Sequence, residues 1–136
     1  MKKFIQSIIP LISACAGEPA HTLGVRENKL TPCPASPNCV SSFEDNNTHK
    51  IYPIAASLDQ ITQVIVELTS ANIVSASENY LHVEFTSRIM RYIDDVEFLY
   101  SKTENITHVR SASRVGYSDF GVNRKRVEKI RGLIKN

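Results

Sequence analysis

Four arginines and three aspartates in the last third of the chain, Arg110, Arg114, Arg124 and Arg126 with Asp94, Asp95 and Asp119, hold its densest capacity for chemistry. If Asn123 caps a closing helix, then Arg124, Lys125 and Arg126 crowd its first turn, where the macrodipole is already positive. Acids normally stand there, so the arrangement requires negative charge from somewhere. Asp119, Asp94 or Asp95 can supply it from within the protein. The alternative is an external phosphate, sulfate or carboxylate, held by backbone N–H groups and the arginines. On a helical wheel Arg124 and Arg126 flank the apolar stripe, with Lys125 and Lys129 toward solvent. Gly116 and Gly121 frame the preceding loop and give it turn chemistry.

Other reactive groups are sparser. Cys33 and Cys39 bracket Pro34-Ala35-Ser36-Pro37-Asn38 and read best as a disulfide closing a small stiff loop. A redox-active pair is the sharper alternative, although the spacing is not Cys-x-x-Cys. Zinc would need two more ligands, and His49 is the only histidine nearby, so no metal site and no cofactor is expected. A hydrolase would use Cys39 or a serine near it, with His49 or His108 as base. Close carboxylates such as Glu84 and Glu97 offer acid–base work if one pKa is raised.

These residues need elements to position them. His49 to Ile54 reads as a first strand, and Ser57-Leu58-Asp59-Gln60 is a capping-box signature. Leu58, Ile61, Ile65 and Leu68 then form one apolar stripe, with the helix ending near Ala71-Asn72. From Val74 the period changes to two, through Leu81, Val83 and Phe85, then Val96, Phe98 and Tyr100, then Val109 to Val115. A last helix carries Val127, Ile130 and Ile134 on one face. The order β-α-β-β-β-β-α predicts a single α+β domain, a curved antiparallel sheet with two helices on one face and the other partly open. It matches TATA-binding-protein-like topology, an analogy of shape alone.

Register makes the second face concrete. Setting Val96 opposite Val109 pairs Asp95 with Arg110 and Glu97 with His108, and Phe85 opposite Val96 sets Glu84 beside Glu97. The polar face then carries Glu84, Asp95, Glu97, His108, Arg110 and Arg114, with a solvated sheet face as the plain expectation.

The N-terminus predicts location. Met1-Lys2-Lys3, an apolar run from Phe4 to Ile12, then Ile12-Ser13-Ala14-Cys15 reads as a lipobox, with residues 1–14 a lipoprotein signal peptide and Cys15 the lipid-bearing (palmitate) new N-terminus. The run is too short for a membrane span, which needs roughly 20 apolar residues. Ala16 after the cysteine points to the outer membrane, with the domain facing the periplasm; an ordinary secretory signal cut beyond Cys15 is the alternative. Residues 15–30 read as the lipidated N-terminus and a tether, and 31–136 as the domain.

Composition agrees with one globular domain. The 136 residues are 42% hydrophobic and 22% charged, and a formal net charge of +2 is too small to argue for nucleic acid. The charge is uneven: from Arg110 onward eight Lys/Arg face two acids, a local net of +6.

Three blocks carry a family resemblance. Cys33-Pro34-Ala35-Ser36-Pro37-Asn38-Cys39-Val40-Ser41-Ser42, then Asp94-Asp95-Val96-Glu97-Phe98, then Arg110 through Arg124 resemble, in order, the domain-of-unknown-function family numbered 1499. The resemblance covers about Leu30 to Leu133 and implies a shared domain, with no established reaction, cofactor or ligand.

The sequence thus points to a monomeric lipoprotein of the bacterial cell envelope, a non-catalytic binding or interaction module for an anionic small molecule or lipid headgroup. Arg110, Arg114, Arg124 and Arg126 supply positive charge, oriented by Asp94, Asp95 and Asp119. A cysteine- or serine-dependent hydrolase and a structural envelope scaffold are the alternatives.

Overall fold

A computed structural model describes Gly17 and residues 21–136; the lipobox with its 1–14 signal and Cys15 lies outside the described residues. The fold is α+β. Its elements run β1 (Val25–Arg26), β2 (Lys29–Leu30), β3 (Cys39–Ser41), α1 (Leu58–Ile65), β4 (Ala71–Ala76), β5 (Tyr80–Thr86), β6 (Ile93–Ser101), β7 (Ile106–Ser113) and α2 (Val122–Leu133). Strands β3 to β7 form one antiparallel sheet in the order β3-β7-β6-β5-β4, and β1 pairs with β2 in a separate two-stranded ribbon. The four-strand meander is as expected, and the first strand of this sheet adds to its edge by pairing with the last.

That first strand is Cys39–Ser41, however, and not His49 to Ile54. Pro53 has no N–H to give to a ladder, and the segment makes only single bridges, Ser41 to Lys50 and Ile54 to Thr107. Cys39, held by its disulfide to Cys33, takes the edge position instead.

Helix α1 starts as its sequence requires: the Gln60 amide donates to Ser57 Oγ at 3.2 Å while Gln60 Oε1 accepts from the Ser57 amide at 2.9 Å. It ends at Ile65, short of the expected Ala71-Asn72. The β-branched run Val64-Ile65-Val66 loses side-chain freedom in a helix, and the chain tightens at once into turns, with Glu67 N donating to Val64 O and Leu68 N to Ile65 O. Strand β4 begins where the helix was expected to stop.

Both helices pack on one face of the sheet. Ile61, Val64 and Ile65 from α1 and Val127 and Ile130 from α2 meet Val83, Phe85, Val96, Phe98 and Val109 in a single core. The alternate residues of β5, β6 and β7 point to the opposite face.

That opposite face departs from expectation twice. Its register is shifted by two residues: Glu97 lies opposite Arg110, Asp95 opposite Ala112, and Glu84 opposite Asp95. A slip of two leaves every side chain on its expected face while changing its partner, and it brings Arg110 to Glu97 in place of Asp95. The face is also covered, not solvated. Asp95, Glu97 and Arg110 are buried. The covering chain is the stretch read as a tether: Leu30 is buried, β2 lies against β6, and the Gly24 amide donates to Glu97 Oε1 at 2.7 Å.

Candidate functional site

Strand alternation sends Tyr80, His82 and Glu84 from β5, Asp95 and Glu97 from β6, and His108 and Arg110 from β7 beneath the N-terminal segment, with Arg114 just past the end of β7. They form two linked clusters.

Arg114 organises the first. Its Nε donates to Asp95 Oδ2 at 2.8 Å, and its Nη2 donates to Asp95 Oδ1 at 2.8 Å and to Glu84 Oε1 at 2.6 Å. His82 Nε2 lies 2.7 Å from Asp95 Oδ1. Burial pushes the Asp95 carboxyl up, but the hydrogen bonds and charges of Arg114 and His82 outweigh it and hold the group below the usual carboxylate range. The bond to Asp95 holds the Arg114 guanidinium well above its ordinary value, against the opposing effect of burial.

The second cluster surrounds Glu97, which is fully buried. Its Oε1 accepts from Tyr80 Oη at 2.8 Å as well as from Gly24, and its Oε2 accepts a long 3.4 Å bond from Arg110 Nη1. Burial, with the Glu97 charge beside it, drives the Tyr80 phenol far above its ordinary value, so it remains a neutral donor. Arg110 is only 3% exposed, yet that single long bond is its only side-chain hydrogen bond among the described residues, and its Nε has no partner. A buried donor without an acceptor is costly and asks for one.

Arg110 and Arg114 line a cleft of about 360 Å³ with Asp95, Ala112, Ser113, Thr22, Pro32, Cys33 and Pro34. The Cys33–Cys39 disulfide sets one wall, its sulfurs bonded at 2.04 Å.

The remaining predicted residues lie elsewhere. Helix α2 is capped by Gly121 in a left-handed conformation, and Asn123 is the second residue of its first turn, fully buried. Asp119 provides the acid at this helix start, accepting from the Gly121 amide at 2.9 Å and from the Asn123 amide at 3.0 Å. Burial raises its pKa, but the Asn123 side chain and these amides lower it further, leaving it below the ordinary range. Arg126 Nη2 pairs with Asp94 at 2.7 Å on the helix side of the sheet. Arg124 donates to the backbone carbonyls of Lys50 and Thr48 at 2.6 and 3.2 Å. The seven predicted residues are therefore divided: Arg110, Arg114 and Asp95 share the cleft, while Arg124, Arg126, Asp94 and Asp119 brace α2.

The candidate catalytic residues are also placed. Cys39 is bonded to Cys33, and His49 Nδ1 lies 2.9 Å from the Cys39 carbonyl in a buried position. His108 Nδ1 lies 3.0 Å from Ser42 Oγ and its Nε2 3.2 Å from Glu104 Oε2, with Phe43 stacked on the ring at 4.1 Å. Among the described residues no group of three His, Cys, Asp or Glu side chains is arranged to hold a metal ion, and no helix is long and apolar enough to cross a membrane.

Tyr80 and His82 were not anticipated. Both sit at even positions of β5, alternating with Leu81 and Val83, so strand period alone was enough to place them on the polar face.

The depressed Asp95 and Asp119 carboxyls have a definite pH signature. A carboxyl with a lowered folded-state pKa contributes stability that is complete above the unfolded value, about 4, and is lost as pH falls through the folded value. The thermal midpoint should hold steady from pH 7 to about 5 and fall below about 4; Asp95→Asn should weaken that fall, as followed by circular dichroism.

Comparison with known proteins adds one match. The model of a family of proteins of unknown function (DUF1499) matches residues 29–134. No curated protein and no solved structure matches the chain. The matched residues take in both helices, the whole five-stranded sheet and all of the cleft except Thr22. The chain is a member of the DUF1499 family.

Proposed function

We propose that the protein is a non-catalytic binding module of the bacterial envelope, anchored through lipid on Cys15, whose cleft takes a singly charged, oxygen-bearing anionic group. The observation that carries this reading is Arg110, a buried cation that lines the cleft and whose Nε has no hydrogen-bond partner among the described residues.

Charge counting limits the ligand. Arg110 and Arg114 face Glu84, Asp95 and Glu97, two cations against three acids, so net charge attracts no anion and a ligand has to be held by direct hydrogen bonds from the guanidinium. Most carboxylate oxygens are engaged within the protein, whereas Arg110 Nε is not. Such a site suits one carboxylate or phosphodiester and disfavours a multiply charged phosphate.

Arg110→Lys tests this. It keeps a cation for Glu97 but removes the guanidinium fork. Dimethyl phosphate or acetate at millimolar concentration should raise the midpoint of the wild-type protein and leave Arg110→Lys unmoved, with the ligand-free midpoints within a few degrees. Equal responses in both proteins, or none in the wild type, would refute the reading.

The Ser42–His108–Glu104 chain favours a second reading, a serine hydrolase. Its weakness is visible in the same place. Ser42 Oγ already accepts the Val109 amide at 2.9 Å, which occupies one of its two lone pairs and ties the hydroxyl to the sheet backbone. Labelling by a fluorophosphonate probe that is lost in Ser42→Ala would establish this second reading; no labelling at Ser42 is expected.

A further inference from the structure

We propose that one end of the sheet, formed by the β5–β6 turn and the β7–α2 loop, rests on an anionic lipid bilayer. This goes beyond the cleft reading and draws on the lipid at Cys15 only for orientation.

The two connections meet. Ser113 pairs with Asp94, and the Arg114 amide donates to the Ile93 carbonyl at 3.2 Å, so the loop leaves the sheet beside the turn. Both carry exposed apolar side chains. The turn holds out Ile89, 89% exposed, with Met90 and Tyr92; the loop holds out Phe120, 88% exposed, with Tyr117 and Val122 at the start of α2. Six large apolar side chains at one end of a small domain make a patch that solvent alone does not favour. Phe120 stands in the left-handed region at φ 52°, a conformation that a bulky residue adopts only where the surroundings impose it.

The charges around the patch are basic. Arg88, Arg91, Lys125 and Lys129 are exposed at or beside it. The nearby acids are engaged: Asp119 accepts from the Gly121 and Asn123 amides, Asp94 pairs with Arg126, and Glu84 pairs with Arg114. Aromatic and aliphatic tips ringed by unopposed cations are the chemistry that seats a protein at the headgroup boundary of an anionic membrane.

The chain itself indicates which way this end faces. Gly17 lies against the β7–α2 loop, so close that a Cβ there would stand 2.8 Å from Val115 Cγ1. Cys15 is two residues away, at most about 7 Å of extended chain. A lipid on Cys15 therefore holds this end, and no other, against the bilayer.

The chain contains no tryptophan, so single reporters are unambiguous. The full protein purified from membranes is made as Ile89→Trp, Phe120→Trp and, as control, Tyr52→Trp, an exposed position beside the Ile54–Thr107 bridge toward the opposite end. Each is mixed with phosphatidylglycerol–phosphatidylethanolamine vesicles whose acyl chains are brominated. Fluorescence of the first two should be quenched at least about twofold, with a blue shift, and that of the control should not change. Arg88→Glu with Arg91→Glu, added to Phe120→Trp, should remove at least half of the quenching. Quenching of the Ile89 and Phe120 reporters no greater than the control overturns the proposal. So does a blue shift without vesicles that tracks a doubling of mass, which makes the face a contact between two copies. The mass of the N-terminal peptide reads the anchor separately. Unmodified Cys15 with quenching intact overturns the lipid reading and supports this one; lipidated Cys15 without quenching does the reverse.

Discussion

Arg114→Ala should lower the thermal midpoint by roughly 12 °C or more, the largest loss expected from any single surface-distant charge in this protein. Arg114 forms three short bonds to two carboxylates, one of which, Asp95, is almost wholly buried. Removing one partner of a buried pair costs about 3–5 kcal/mol, because the other charge is left without compensation. His82 remains beside Asp95 and limits the damage. The effect is therefore specific in two ways. In a double-mutant cycle Arg114→Ala should couple to Asp95→Asn by about 1–3 kcal/mol. The Arg114→Ala penalty should also shrink in acid, as Asp95 takes up a proton and needs no cation. Denaturant unfolding at pH 7 and below pH 4 measures both. A loss under about 1 kcal/mol at pH 7 would mean that the network contributes little to folding.

Asn123→Ala should cost a similar amount, about 3–5 kcal/mol, through hydrogen bonds and not charge. Asn123 is fully buried and ties together β7, the loop before α2 and α2 itself. Its Oδ1 accepts from Ser111 Oγ at 2.6 Å and Arg126 Nη1 at 3.0 Å; its Nδ2 donates to Asp119 Oδ2 at 2.8 Å and Ser113 Oγ at 2.9 Å. Alanine leaves the Ser111 and Ser113 hydroxyls without this partner around a cavity, while Asp119 keeps its backbone amides and Arg126 its pair with Asp94. Asn123→Asp should be as damaging, since it replaces a donor with a second acid facing Asp119. Chemical denaturation checks both, and loss of Asn123 should also loosen the 114–121 loop, read as faster amide exchange there.

The apolar pattern made the core legible. Period-two runs at Leu81–Phe85, Val96–Tyr100 and from Val109 placed three strands and their inward faces, and the Ser57–Gln60 box placed the start of α1. Pairing was harder to read. Registers differing by two residues satisfy the same alternation, and what separates them here is a buried Glu97–Arg110 contact spread over two strands. The segment from Thr22 to Pro34 was opaque for a related reason. It covers a charged surface, so it needs no hydrophobic period; its work is done by the Gly24 amide, Leu30 and the Cys33–Cys39 crosslink. Without that cover the polar face looks solvated, and its arginines look interchangeable with those of α2. The basic start of α2 was correctly read as needing an acid, and Asp119 supplies it, although Gly121 and not Asn123 occupies the cap. The sequence offers a serine near Cys39 with His49 or His108 as base, and of these Ser42 and His108, 66 residues apart, lie within 3.0 Å; spacing alone does not choose between the two histidines.

The central claim is that Arg110 holds a donor in reserve for a ligand. Its Nε–H resonance, resolved from the other arginines by nitrogen-15 NMR and assigned with Arg110→Lys, reads this directly. Titration with dimethyl phosphate should shift the Arg110 signal saturably and the Arg114 signal with it, while Arg124 and Arg131, bonded to backbone carbonyls outside the cleft, stay in place. An Arg110 signal that does not move, or moves only in proportion with every other arginine, would contradict the account.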